Sequence, residues 1–368
     1  MRQTTCYALL LSLAAGCGSN PDATVPPTTA EALQAAPVAP DDADAVAAIG
    51  GLTEKLRRDG NGSIIEVDFR DTTITDDDLD PLAKLPRLRS VLLAGTDVSD
   101  DGLQTLGKIP TLENLDLRDC KVSNAGLLQL VGLTKLKALK LSGKSGDCTV
   151  GDDGMKHVAK LSNLKVLGLD FLWVSELGLG ELTGLNQLQE LYLAETTIGN
   201  EAIDVISSFA NLRRLRLAKT QIDAEGLAGL PALVGLEDLD LSECLQISDQ
   251  ATAPLAKLKK LKKLNLWRVN ISDAGIEPLQ QISSLESLNL DNTRLSDEGL
   301  AYLAGLTNLT FLHLGSTQIT DAGLVYLEDL QSLKDLKLTR TAVSQAGVDR
   351  LRKALPDTQI QLKYIEGK

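Results

Sequence analysis

The sequence predicts an α/β solenoid of about twelve stacked units, with a parallel β-sheet on the concave side and helices on the convex side. Three observations predict it. The motif L-x-x-L-x-L begins at Ile64, Leu88, Leu112, Leu136, Leu164, Leu188, Leu212, Leu236, Leu261, Leu285, Leu309 and Leu333, with spacings of 24, 24, 24, 28, 24, 24, 24, 25, 24, 24 and 24 residues. A second column, running from Ile74 to Val343, is aliphatic in every unit. Aromatic residues make up only 3% of the chain, which suits stacked aliphatic rungs better than a globular core built on large rings. A fixed period of this length marks a repeat architecture. Such a chain grows without a single central core, so 368 residues do not here imply two or three globular domains.

At the N-terminus, Arg2 is the only charged side chain before Asp22, and Tyr7 to Ala15 is an apolar run with one Ser. The run is too short to span a bilayer and has the anatomy of a secretion signal. It ends in Leu13-Ala14-Ala15-Gly16-Cys17. This resembles a bacterial lipoprotein signal box, and the resemblance implies that residues 1–16 are removed and that Cys17 carries the lipid. By the same resemblance, Gly18 implies the outer rather than the inner membrane. Residues 17–40 contain Pro21, Pro26, Pro27, Pro37 and Pro40 among small residues, a composition expected of a flexible tether. Val46, Ile49, Leu52 and Leu56 then fall at helical spacing, and Asp59-Gly60-Asn61-Gly62 is a turn signal. Residues 41–63 are therefore expected to form a cap whose helix, from Asp44 to Arg58, covers the open end of the first repeat. The repeats occupy 64–356, and 357–368 hold a C-terminal cap strand and tail.

Repeat ten shows how one unit is expected to fold. Leu285, Leu288 and Leu290 point inward and Ser287, Asn289 and Asp291 outward, the period-two pattern of a strand. Thr293 and Leu295 turn the chain, and Asp297 stands at the expected N-cap of the helix that follows. The same column reads Asp or Asn in nine of twelve repeats. So many carboxylates invite a metal or acid–base reading, but a separate cap for each helix accounts for them. No metal or other cofactor is expected.

The pattern T-x-I-x-D-x-G-L resembles the cysteine-containing subclass of leucine-rich repeats over residues 64 to about 355. The resemblance implies a horseshoe-shaped leucine-rich repeat solenoid. In that subclass a Cys often fills the Thr column, and here Cys120, Cys148 and Cys244 all lie in it, with Leu245 as the extra residue of its repeat. They read as small buried core residues. A Cys120–Cys148 disulfide is within reach of neighbouring strands, although parallel side chains suit the bond poorly.

Departures from the period mark candidate sites. Gly143-Lys144-Ser145-Gly146-Asp147 lies in a four-residue insertion at the sheet edge, and Phe171-Leu172-Trp173 and Trp267-Arg268-Val269 place both tryptophans of the chain near that face. The residues expected to bind a partner are Phe171, Tyr192, Arg216, Asn265, Trp267, Arg268 and His313, because Trp, Tyr and Arg anchor interfaces most often. Trp173, next to a core position, is expected to pack under the neighbouring turn. Charges alternate between repeats. Arg214 should lie beside Asp238 and Asp238 beside Lys263, with Arg216 beside Asp240, so these stripes largely satisfy one another.

A net charge of −13 opposes nucleic-acid binding. Only two His are present, and no G-x-S-x-G, H-E-x-x-H or P-loop motif occurs, so no catalytic residue is expected. The sequence thus points to a monomeric, non-enzymatic, lipid-anchored scaffold of the bacterial envelope that holds a protein or envelope ligand on its concave face. Alternatives are a cytosolic adaptor of the ubiquitin-ligase kind, whose resemblance is weakened by the absence of room for an F-box, and an envelope enzyme.

Overall fold

The computed structural model describes residues 39–363. The signal segment, the Cys17 lipid site and the tether through residue 38 lie outside the described residues. Every element described below lies in the unit that begins at Ala39.

A single 14-stranded sheet runs through the repeats in strict sequence order. Its strands are β1 (Leu56–Arg58), β2 (Ile64–Asp68), β3 (Ser90–Leu92), β4 (Asn114–Asp116), β5 (Ala138–Ser142), β6 (Val166–Asp170) and β7 (Glu190–Tyr192). They continue as β8 (Arg214–Arg216), β9 (Asp238–Asp240), β10 (Lys263–Asn265), β11 (Ser287–Asn289), β12 (Phe311–His313), β13 (Asp335–Lys337) and β14 (Gln359–Gln361). From β2 onward all pairs are parallel, and like positions of successive repeats stand in register, as in Leu288 beside Leu312. The chain is therefore an α/β leucine-rich repeat solenoid with its sheet on the concave side. The return segments are short: one turn or two of α-helix, several continuing into 3₁₀-helix, as Asp273–Ile276 continues into Glu277–Gln281.

The core is one stack of aliphatic rungs. Leu285, Leu288, Leu290 and Leu295 of repeat ten are all fully buried, and the equivalents in other repeats pack above and below them. The Thr column closes the turn after each strand. Thr96, Thr196, Thr220, Thr293 and Thr317 each donate a hydroxyl proton to the carbonyl three residues back. Pairing that buried hydroxyl avoids the cost of about 1–3 kcal/mol that an orphaned polar group carries. The cysteines fill the same column but bond differently: Cys120 and Cys244 donate to Leu93 and Leu217, carbonyls of the preceding repeat. All three cysteines are free, so Cys120 and Cys148 are not bridged. Burial pushes the Cys120 thiol up to about 11 and raises those of Cys148 and Cys244, which makes them poor nucleophiles.

The structure corrects the assignment of the Asp column. The N-cap is the residue before it, Ser99, Ser123, Ser272 or Ser296, while Asp100 and Asp273 are already helical. The carboxylate instead reaches the next repeat. Asp273 accepts the Ser296 backbone N–H at 2.8 Å and its hydroxyl at 2.6 Å, and Asp76, Asp152, Asp249, Asp297 and Asp321 do the same for the following Ser or Thr. The ladder thus joins repeats rather than capping each helix from within. A Gly in the helix of the following repeat makes room for each Asp: a Cβ on Gly275 would stand 2.7 Å from Asp249 Oδ1 and 2.9 Å from Ile271 Cβ. At the first repeat, Thr75 has no preceding rung, and Asp78 of its own turn accepts the Thr75 N–H at 2.8 Å. At the last, Gln345 takes the Asp position and bonds Asp349 within its own helix. Ala224 breaks the ladder once, beneath Ser248.

Both ends are covered. Helix α1 (Ala43–Leu52) buries Ala45 and Ile49 and is capped by Asp42, whose carboxylate accepts the Ala45 N–H. It ends at Leu52, six residues before the expected Arg58, and the hydroxyl of its C-cap Thr53 donates to the Asp68 carbonyl. Leu56 to Arg58 then pair antiparallel with β2. Helical spacing of Leu56 is overridden here by an open sheet edge that needs hydrogen-bonding partners. At the far end, helix Gln345–Ala354 buries Val348 and Leu351, and β14 adds to β13. No helix among the described residues is long and apolar enough to cross a membrane.

Candidate binding face

Alternation along the three-residue strands from β3 onward sends the first and third residues to the concave face and the middle aliphatic residue into the core. In-register stacking therefore turns sequence columns into rows on the concave face. One row passes from Tyr192 through Arg216 and Asp240 to Asn265, then through Asn289 to His313. Just after each strand the backbone enters the left-handed region, at Phe171 (φ 62°) and Arg268 (φ 55°) among others, which lifts these two side chains at the rim of the face.

The structure brings the seven expected residues together as separate groups. Tyr192 and Arg216 are direct neighbours within a charge network over β6–β9. The Tyr192 hydroxyl donates to Glu190 at 2.6 Å, Arg214 bridges Glu190 and Asp238 at 3.1 and 3.2 Å, and Arg216 bridges Asp170 and Asp240 at 2.8 and 3.3 Å. The predicted Arg214–Asp238–Lys263 row is in register, and Asp170, a partner of Arg216 from two strands away, is an addition to it. Burial raises the Asp170 carboxyl against the opposing pull of Arg216, and burial followed by the Glu190 bond raises the Tyr192 phenol. Phe171 lies under the Lys144 ammonium of the insertion, 5.8 Å from its ring centre. The insertion is tied down by Asp119, which accepts from Ser142 and Ser145.

The second group is Asn265, Trp267 and Arg268. Asn265 accepts the Trp267 N–H at 3.1 Å, and the Arg268 guanidinium stacks 5.5 Å from the Trp267 ring centre while pairing with Glu243 at 2.8 Å. The third is His313, two strands beyond Asn265. Its ring meets Phe311 edge-on, and Lys337 lies over Phe311 at 5.3 Å. Burial lowers the His313 pKa, with Asp291 opposing the shift.

Phe311 escaped sequence reasoning, and Trp173 was placed wrongly by it. Phe311 stands outward at the first position of β12, half-buried, where the neighbouring strands carry Ser287 and Asp335. Its aromatic identity at an outward position was the available signal. Trp173 is 76% exposed instead of packed under a turn, and Leu177 of the same repeat is 81% exposed. Gly151 pairs with Trp173 through the backbone, leaving its indole outside the stack.

Among the described residues no group of three or more His, Cys, Asp or Glu is placed to hold a metal ion. The carboxylates of the face are spread in rows and mostly matched to arginine, pairs that favour the register of the stacked strands.

The family model described as "Leucine Rich repeat" matches residues 108–131, 281–304 and 305–327. In solved structures, the chain is similar to the crystal structure of an internalin, InlF, from Listeria monocytogenes. That match has 18% identity and a TM-score of 0.61 and covers 91% of this chain and 100% of the internalin. An internalin C2 from the same organism matches at 24% identity and a TM-score of 0.42, over 52% of this chain and 75% of its own. No curated protein matches the sequence. The class is thereby defined: a leucine-rich repeat solenoid of internalin-like fold.

Proposed function

We propose that this chain is a non-enzymatic protein-binding scaffold, exported and tethered in the bacterial envelope through lipid on Cys17, which holds its partner on the concave sheet face. The observation that carries the reading is the collection of Phe171, Tyr192, Trp267 and Phe311 on or beside one sheet in a chain with only four Phe, two Trp and five Tyr. Aromatic and Arg side chains held rigidly by neighbouring ions are the residues that supply most interface energy. The 17–40 segment would serve as tether, and acyl chains supply anchoring at about 0.8 kcal/mol per buried CH₂.

Capture from envelope extract tests the scaffold. The wild-type chain retains a specific partner, and Trp267→Ala and Tyr192→Ala each weaken capture by about tenfold or more, in line with hot-spot truncations. Full retention by both variants would remove these residues from the site. Metabolic labelling with a fatty acid tests the tether: label on wild type that disappears in Cys17→Ala supports it, and an unlabelled wild type refutes it.

A further inference from the structure

The two most exposed large apolar side chains among the described residues, Trp173 and Leu177, stand in one repeat, four positions apart. Trp173 follows β6 at the edge of the sheet, and Leu177 is the second residue of the helix Glu176–Glu181. Their counterparts in the adjoining repeats are short or charged: Thr149 and Thr197 for Trp173, Asp153 and Glu201 for Leu177. Between the two lies the cap column, which is Ser or Thr in nine of the twelve repeats. Gly151 and Gly199 hold that column on either side of repeat five, and Gly151 pairs with Trp173 through the backbone. The rim is therefore lower on both sides of repeat five, and Trp173 and Leu177 project from it.

The charge around them has one sign. Residues 166–212 contain seven carboxylates and no Lys, Arg or His. Three of the seven serve the concave network, Asp170 with Arg216, Glu190 with Arg214 and Glu195 with Lys219. Glu181, Glu201 and Asp204 are exposed, as are Asp153 and Glu225, which continue the Leu177 column on either side. Among the described residues no Lys or Arg pairs with any of these five. Lys156 borders the collar three residues beyond Asp153, without forming an ion pair with it.

We propose that the rim of repeat five is a docking site, separate from the concave face, for a basic segment of a partner protein. That segment lays an apolar side chain on Trp173 and Leu177 and sets Lys or Arg against Asp153 and Glu201. Tryptophan is among the side chains that most often anchor an interface, and here it stands in water with nothing covering it. Charge selects the occupant. A second copy would press one acidic collar against another in a chain of net charge −13, and an anionic bilayer would meet the same repulsion. A basic segment gains twice: its apolar side chain covers the indole, and its cations compensate the collar and can stack on the ring face.

Trp173 and Trp267 are the only tryptophans of the chain, so their two indole N–H signals in a proton–nitrogen NMR spectrum report the rim and the concave face separately. The probe is a synthetic peptide of repeating Lys-Leu-Leu-Lys, with Ser for Leu in one comparator and Glu for Lys in the other. Saturable movement of the Trp173 signal with the probe, while Trp267 stays still and neither comparator acts, supports the site. Leu177→Ser and Glu201→Lys should each weaken that response about tenfold, in chains that keep their circular dichroism. No saturable Trp173 shift, as large a shift from either comparator, equal movement of Trp267, or an unchanged response in both variants overturns the proposal. So does a Trp173 shift on phosphatidylglycerol vesicles alone, which would assign the rim to a membrane surface. A dimer in sedimentation that Trp173→Ser abolishes would assign it to a second copy and overturn the proposal equally.

Discussion

The Gly that meets each ladder Asp from the following repeat is defined by what it must not carry. Gly275 has no special backbone angle, and its requirement is steric: Asp249 Oδ1 and Ile271 Cβ already occupy the space of a Cβ. Gly275→Ala should therefore destabilise the chain by about 1–3 kcal/mol, the usual cost of forcing extra volume into a packed site, although alanine favours helices intrinsically. Urea unfolding of the two proteins checks this, and an unchanged or raised midpoint would show that the Asp249 rung gives way freely. The sequence showed the Asp and the Gly of T-x-I-x-D-x-G-L as neighbours on one line. Their true relation is to the adjacent repeat, Asp249 to Ser272 and Gly275, which one line of sequence does not display. His313 was legible as an outward residue. Asp291 was legible likewise, but its approach to His313 was not, because a neighbour in the next repeat is visible only once the rows are stacked.

Among the elements, the strands were the most legible. Alternation fixed Ser287 and Asn289 as outward and Leu288 as inward, and the register followed from a constant period. The cap was less so: Leu56 fits a helix by spacing and a strand by need, and the exposed edge of β2 decided between them. The ladder has a pH consequence at its last rung. The Ser344 hydroxyl and N–H hold the Asp321 carboxyl below its ordinary range. A lowered carboxyl contributes stability that is complete above the unfolded value, about pH 4, and is lost as pH falls through the folded value. Asp223 behaves alike through Glu225 and Asn200, whereas burial raises Asp170 and Asp238, which lose nothing on protonation. The turn that Asp321 ties to Ser344 should loosen in acid, seen as faster amide exchange around Ser344 below about pH 4. In Asp321→Asn that acid-dependent increase should shrink. Equal pH dependence in both proteins would show that the rung carries no linkage.

At the scale of the molecule, stability is distributed over neighbours rather than gathered in one core. Removing residues 285–308 takes out one 24-residue period and brings Lys263 of β10 against Phe311 of β12. The shortened chain should remain folded, with urea dependence reduced roughly in proportion to the surface lost. Circular dichroism and the unfolding slope check this, and a collapsed or aggregated product would contradict modular stacking. The net charge of −13 should keep such variants soluble.

The ladder also has a direction. Every Asp rung is completed by the repeat that follows it, so a partly assembled array always presents an unfulfilled acceptor at its C-terminal side. At the start, Asp78 supplies Thr75 from within its own turn, and at the finish Gln345 turns back onto Asp349. In polymer terms the chain is an oligomer with an initiator and a terminator. Among the described residues the two end positions of the ladder bond within their own repeat instead of onward.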